Sequence, residues 1–206
     1  MKSMNKLEIT THENFLALRA GAKVLEADAY GEKVLLLTDG SMLKLFRRKR
    51  LISSALWYPY ACRFVDNAAA LKQRDIPVPT VIGALRIPSI QRDAVHYRPL
   101  VGTTLRAIIH AGIDSQTEKA LKDRFTRFVI HLHNLGIYFR SLHLGNIIET
   151  PNGDLGLIDF SDLRIYRRPL SRFMRHRNIQ RMLDLPNERD WINSEAILDS
   201  RSNRNQ

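Results

Sequence analysis

"GIYFRSLHLGNII", residues Gly136 to Ile148, is the stretch on which the reading of this chain turns. An apolar helical pattern runs into it, and an apolar strand pattern ending in a carboxylate follows it. The helical pattern recurs on one face at Leu121, Phe125, Phe128, Val129, Leu132 and Leu135, and Gly136 supplies the stop. Ser115 and Glu118 stand three apart at its start, the spacing of a capping box. Downstream, "NIIETPNGDLGLIDF" holds Asn152-Gly153 between two short apolar runs. It is therefore predicted as a hairpin whose last strand delivers Asp159.

Working outward, the first ninety residues read as strands with one helix among them. "AKVLEAD", "KVLLLTD" and "SMLKLFRRK" are aliphatic segments separated by "AYGE" and "DGS", which predicts a three-stranded antiparallel meander. "YACRFVDNAAALKQRD" carries Phe64, Ala68 and Leu71 at helical spacing and is stopped by "IPVP". "TVIGALRI" and "AVHYRPL" complete five strands. Beyond the hairpin an arginine-rich helix is expected from about Leu170 to Leu183, with Leu170, Phe173, Met174, Met182 and Leu183 turned inward. The expected organisation is α+β. It has a sheet-based portion over residues 1–100, a mainly helical portion over 101–198 with a hinge near Leu100 to Thr104, and a disordered tail over 199–206.

Composition narrows the class without naming it. Hydrophobic content of 44% and charged content of 26% are ordinary for a globular chain. No run approaches the ~18 apolar residues of a membrane span, and "MKSMNKLEITTHENF" lacks a signal-peptide core, so a cytoplasmic setting is expected. The single cysteine, Cys62, excludes an internal disulfide and a cysteine-rich metal site, and among apolar neighbours it reads as a structural thiol. The net charge is +11. "FRRKR" (Phe46 to Arg50) and "LRIYRRPLSRFMRHRNIQR" (Leu163 to Arg181) carry much of it, the latter with seven arginines and no acid. Such a field favours anionic partners such as phosphorylated saccharide, lipid headgroup or nucleotide. No zinc-finger spacing and no aromatic RNA-binding signature point to nucleic acid.

The order of these elements, with "HNLGIYFRSLHLGNII", "GDLGLIDFSDLRI" and Lys44 in "MLKLF", resembles the small bacterial kinase-like proteins of the lipopolysaccharide core (Kdo/heptose) kinase family. The branch it looks most like is the one labelled toluene-tolerance proteins. The resemblance spans roughly Ala22 to Leu183 and implies a protein-kinase-like two-lobed fold binding ATP with Mg2+. It also implies an envelope glycolipid sugar as acceptor and peripheral contact with the inner membrane surface. By position, Lys44 would contact nucleotide phosphates, and Asn146 and Asp159 would hold the metal.

Each residue also has a reading of its own. A carboxylate at the end of a buried strand suits a hard cation, or caps the next turn. Asn146 follows a glycine, where an asparagine also serves as an ordinary turn residue. Lys44, flanked by apolar side chains, either snorkels to solvent or reaches a phosphate. Several parts of the family pattern are missing: there is no glycine-rich loop, and between Leu51 and Gln73 the only acid is Asp66. Ser141 stands where the catalytic aspartate belongs, and serine needs a base beside it to accept a proton. His143, two residues on in the same loop, is the group offered to supply one, while Asp162 is a spare carboxylate beside Asp159 for the metal role. Three functions follow: a phosphotransferase with altered chemistry at Ser141, His143 and Asp159; a pseudokinase acting as a regulatory or scaffold module; or a basic module for nucleic acid or an anionic membrane surface.

Overall fold

Alternating aliphatic residues draw the first part of the chain into a sheet, because side chains on a strand point to opposite faces with a period of two. The computed structural model describes residues 7–47 and 58–200. It is an α+β protein, and its chain divides into two units at Leu100 and Val101. Arg48 to Arg50 of the first basic cluster and residues 201–206 of the tail lie outside the described residues.

The first unit carries β1 (Glu8–Ile9), α1 (His12–Arg19), β2 (Lys23–Asp28), β3 (Gly31–Leu36), β4 (Met42–Arg47), α2 (Tyr60–Lys72), β5 (Thr80–Ile87) and β6 (Arg92–Arg98). The expected meander is present as β2, β3 and β4, all antiparallel. The sheet order is β1-β5-β6-β4-β3-β2, so the sheet has six strands where five were expected. The extra strand, two residues paired parallel to β5, is too short to leave a periodic signal. Helix α1 was not foreseen either. Thr11 caps it by accepting from the Asn14 amide, and it buries only Phe15, so it depends on tertiary packing more than on its own pattern.

The two faces of this sheet are filled by different helices. Phe15 joins Leu35, Leu37, Leu43, Leu45, Ile87 and Ala94 in one buried cluster. Alternation turns Lys44, Val95 and Tyr97 to the other face, where Phe64 of α2 meets Tyr97 at 5.4 Å between ring centroids.

In the second unit, β7 (Thr103–Thr104) pairs with β9 (Ile147–Glu149), and Thr104 then caps α3 (Leu105–His110). Two of the five residues of the expected hinge segment are therefore ordered strand. Helix α4 (Ser115–Asn134) buries Leu121, Phe125, Val129 and Leu132, as its periodicity requires. Its cap is Asp114, one residue before the expected Ser115: the Asp114 carboxylate accepts from the Thr117 amide at 2.9 Å and from its hydroxyl at 2.6 Å. A carboxylate placed before the first turn also favours the positive end of the helix dipole.

The chain continues through β8 (Ile137–Tyr138), β9, β10 (Leu155–Leu157), β11 (Arg164–Ile165), α5 (Arg172–Leu183) and α6 (Ser194–Asp199). The hairpin about Asn152-Gly153 forms as β9 against β10. The inward face of α5 differs from the expected one. Met182 is buried, but so are Arg175 and Asn178, while Phe173 is 73% exposed. Arg175 is accepted because its guanidinium finds neutral acceptors: the Leu170 and Ile197 carbonyls, Ser200 Oγ and Asn134 Oδ1. That network includes Ser200, and Asp199 ends α6 paired with Arg172, although the sequence assigned both to the tail.

Candidate functional site

The loop after β8 is built from buried polar contacts. Phe139 is fully buried, and Asn178 of α5 holds its backbone on both sides. Asn178 donates to the Phe139 carbonyl at 2.6 Å and accepts from its amide at 3.4 Å. His133 of α4 meets the same Asn178 side chain at 3.0 Å. Burial, and then the Arg175 charge, hold the His133 imidazole down to about 4, although the bond to Asn178 works the other way.

The far side of the loop is tied to Glu188, a buried carboxylate. One of its oxygens accepts from the Leu144 amide at 2.9 Å, and the other accepts from Arg106 Nε at 2.9 Å. Arg106 Nη2 lies 3.3 Å from His143 Nδ1. An arginine only donates, so His143 Nδ1 accepts and the ring proton sits on Nε2. Burial, and then the Arg106 charge, lower the His143 pKa and keep the ring neutral. Gly145 makes the approach possible, since a β-carbon there would sit 2.8 Å from Arg106 Nη1.

Asn146 closes the loop. Its side-chain amide donates to the Ser141 carbonyl at 2.9 Å, which leaves its amide oxygen available as an acceptor. Its backbone carbonyl accepts from the Ile158 amide at 3.0 Å. The β9–β10 register thus brings Asn146 opposite Ile158, and Asp159 follows one residue on. Asp159 is exposed and left-handed, with φ of +53°. That conformation costs a non-glycine residue on the order of 1 kcal/mol and is tolerated where a site needs it. Phe160 is fully buried beside it.

The serine of the loop has a carboxylate against it. Ser141 Oγ donates to Asp162 Oδ2 at 2.7 Å, and Asp162 Oδ1 is buried without a hydrogen-bond partner. The pairing of Tyr138 with Arg164 across β8 and β11 sets this up by bringing the following loop and the preceding turn alongside each other. Ser141, His143, Asn146, Asp159 and Asp162 therefore belong to one loop-and-hairpin assembly. Lys44 belongs to the first unit. It stands opposite Val34 and Val95 in β4, with its ammonium 5.9 Å from the Phe46 ring centroid. In the helix after it, the Asp66 carboxylate accepts the Tyr58 hydroxyl, and burial, then that bond, raise the Tyr58 pKa.

The donor set fits magnesium in kind. The Asn146 amide oxygen and the Asp159 carboxylate are both hard donors. Magnesium commonly uses one or two protein oxygens and completes its shell with water and phosphate oxygens. Among the described residues no group of three or more His, Cys, Asp or Glu is placed to hold a metal by itself. Sequence reasoning missed Arg106, Glu188, Asn178 and His133 as the supports of the loop. Nothing local marks Glu188 in "DLPNERD" as the acid that will be buried against a loop some forty residues earlier. Comparison with protein-family models and with characterised proteins returns no match for this chain.

Proposed function

We propose that the chain is a kinase-like phosphotransferase of the two-lobed type, using ATP with magnesium. The observation that carries this reading is the hairpin register, which pairs Asn146 with Ile158 and leaves Asp159 left-handed at the next position. Asn146 and Asp159 would hold the metal, and Lys44 would contact the nucleotide phosphates. Bound magnesium supplies neutralisation of phosphate charge.

Asp162 takes the part of the missing loop aspartate. Ser141 fixes one of its oxygens, and the other accepts the proton of the acceptor hydroxyl. That hydroxyl's oxygen bonds to the γ-phosphorus as the bond to the leaving phosphate oxygen breaks. His143 presents Nε2–H and acts as a donor toward the acceptor or a phosphate oxygen. The resemblance points to an anionic envelope glycolipid as the acceptor, reached from the cytoplasm at the inner membrane surface.

A second reading, the pseudokinase, is favoured by one observation: the hydroxyl at the catalytic position is already committed to a carboxylate. Thermal melting with and without Mg-ATP tests what the two readings share. At about 100 times its dissociation constant a ligand binding only the folded form adds ~2.7 kcal/mol. The expected result is stabilisation that needs magnesium and disappears in Asp159→Asn. No shift in wild type sinks both readings. Phosphate release from ATP then separates them: catalysis predicts turnover that Asp162→Asn lowers by about 100-fold or more and Ser141→Ala by less. A pseudokinase gives stabilisation without turnover.

A further inference from the structure

On the outer face of β8 and β11 a different set of residues converges, away from the Asn146–Asp159 hairpin end. Alternation sends Ile137 and Phe139 inward and Tyr138 and Arg140 outward. Across the pair, Arg164 stands opposite Tyr138, and Tyr166 lies two residues beyond it on the same face. Helix α5 closes the side with Phe173, Met174 and Arg177, the face opposite its buried Asn178 and Ile179. Together these residues line a pocket of about 300 Å³.

Its chemistry is lopsided. Three arginines line it and no acid does. None of the Arg140, Arg164 and Arg177 side chains makes a hydrogen bond or an ion pair among the described residues, although other arginines of this unit, such as Arg106, Arg124 and Arg172, have carboxylate partners. Three like charges facing one hollow repel one another unless an anion joins them. Planar guanidinium groups match phosphate oxygens in pairs. A phosphate monoester, at about −1.5 to −2 near neutral pH, answers three cations better than a single carboxylate does. The remaining walls, Tyr138, Tyr166, Phe173 and Met174, offer ring faces and a thioether. Phe173 is mostly exposed on a helix with a buried face of its own.

We infer that this pocket binds a phosphate monoester carried on a ring-bearing group, the arginines taking the phosphate and the aromatic side chains the ring. The inference stands apart from the nucleotide reading, since none of its residues is assigned to metal or transfer. Binding of inorganic phosphate, phenyl phosphate and phosphatidylcholine vesicles with and without phosphatidic acid tests it by calorimetry and co-sedimentation, in chelator so that no metal bridges an anion elsewhere.

Phenyl phosphate is expected to bind about tenfold or more tightly than inorganic phosphate. Arg164→Gln and Arg177→Gln should each weaken it by a similar factor, while Arg172→Gln, outside the pocket, leaves it unchanged. Phe173→Ala, at an exposed position that folding tolerates, should remove the preference for the ring and leave inorganic phosphate binding as it was. Binding to phosphatidic acid vesicles alone, lost in Arg164→Gln, also upholds the pocket and makes a lipid headgroup the source. No binding of any probe overturns the inference. So does binding that all the arginine variants weaken equally, Arg172→Gln included, because that is only the field of a basic protein.

Discussion

His133 shows how a single side chain can set the pH response of a site it never touches. The imidazole is buried at the end of α4 and shares Asn178 with the backbone of Phe139, so the loop bearing Ser141 rests on it. Unfolded, this group takes a proton near its ordinary 6.5, while folded it does so only at about 4. Between those values the unfolded chain binds more protons, so stability is full above about 6.5 and is lost as pH falls toward 4. At about 1.4 kcal/mol per pH unit of separation, the loss is on the order of 3 kcal/mol. His143, also lowered by burial, acts in the same direction. Melting temperatures from pH 7 to pH 4 should therefore fall steeply in wild type and more shallowly in His133→Gln. Equal slopes in the two proteins would show that His133 does not carry the effect.

Among the elements, caps and turns distinguish what a pattern predicts from what packing demands. Helix α4 reads the same from its apolar stripe whether Asp114 or Ser115 caps it, and only the local hydrogen bonds choose Asp114. Asp114→Ala should lower the melting temperature more than Ser115→Ala, and the reverse order would restore the capping box. Gly136 and Gly153 make a second contrast. Both have positive φ, +74° and +84°, which costs an alanine about 1–2 kcal/mol in either place. A β-carbon on Gly136 would also lie 2.4 Å from the Tyr166 carbonyl oxygen, whereas one on Gly153 meets only the Arg124 guanidinium at 3.9 Å. Gly136→Ala is thus expected to be the far more damaging of the two by thermal denaturation, since the β8–β11 pairing must move to admit it.

For the molecule as a whole, the charge of +11 is the property that acts at a distance. It draws polyanions of any kind, and release of counterions makes such binding fall steeply with salt. Association with single-stranded DNA or heparin is expected to weaken by orders of magnitude between low and physiological salt, and Asp159→Asn should not change it. If Asp159→Asn did abolish it, the hairpin end would be the polyanion site and the basic-module reading would replace phosphotransfer. No helix among the described residues is long and apolar enough to cross a membrane. Contact with an anionic surface would rest on this field and on the arginines that remain exposed once Arg175 is buried.

The strands and helices that bury a continuous stripe were written in the sequence: the meander, α2, α4 and the Asn152-Gly153 hairpin each carry a period or a turn pair of their own. So was the sequence order of Lys44, Asn146 and Asp159. What the sequence could not carry were elements of two residues, β1, β7, β8 and β11, which have no period to read and exist only because a partner strand satisfies their backbone groups. The pairing of Ser141 with Asp162 and the arginine pocket both follow from β8 against β11, and so became visible only in the tertiary structure. The same holds for Glu188, Asn178 and Arg175. A buried polar side chain is stabilised by acceptors and donors distant in sequence, and no local pattern announces where those will be.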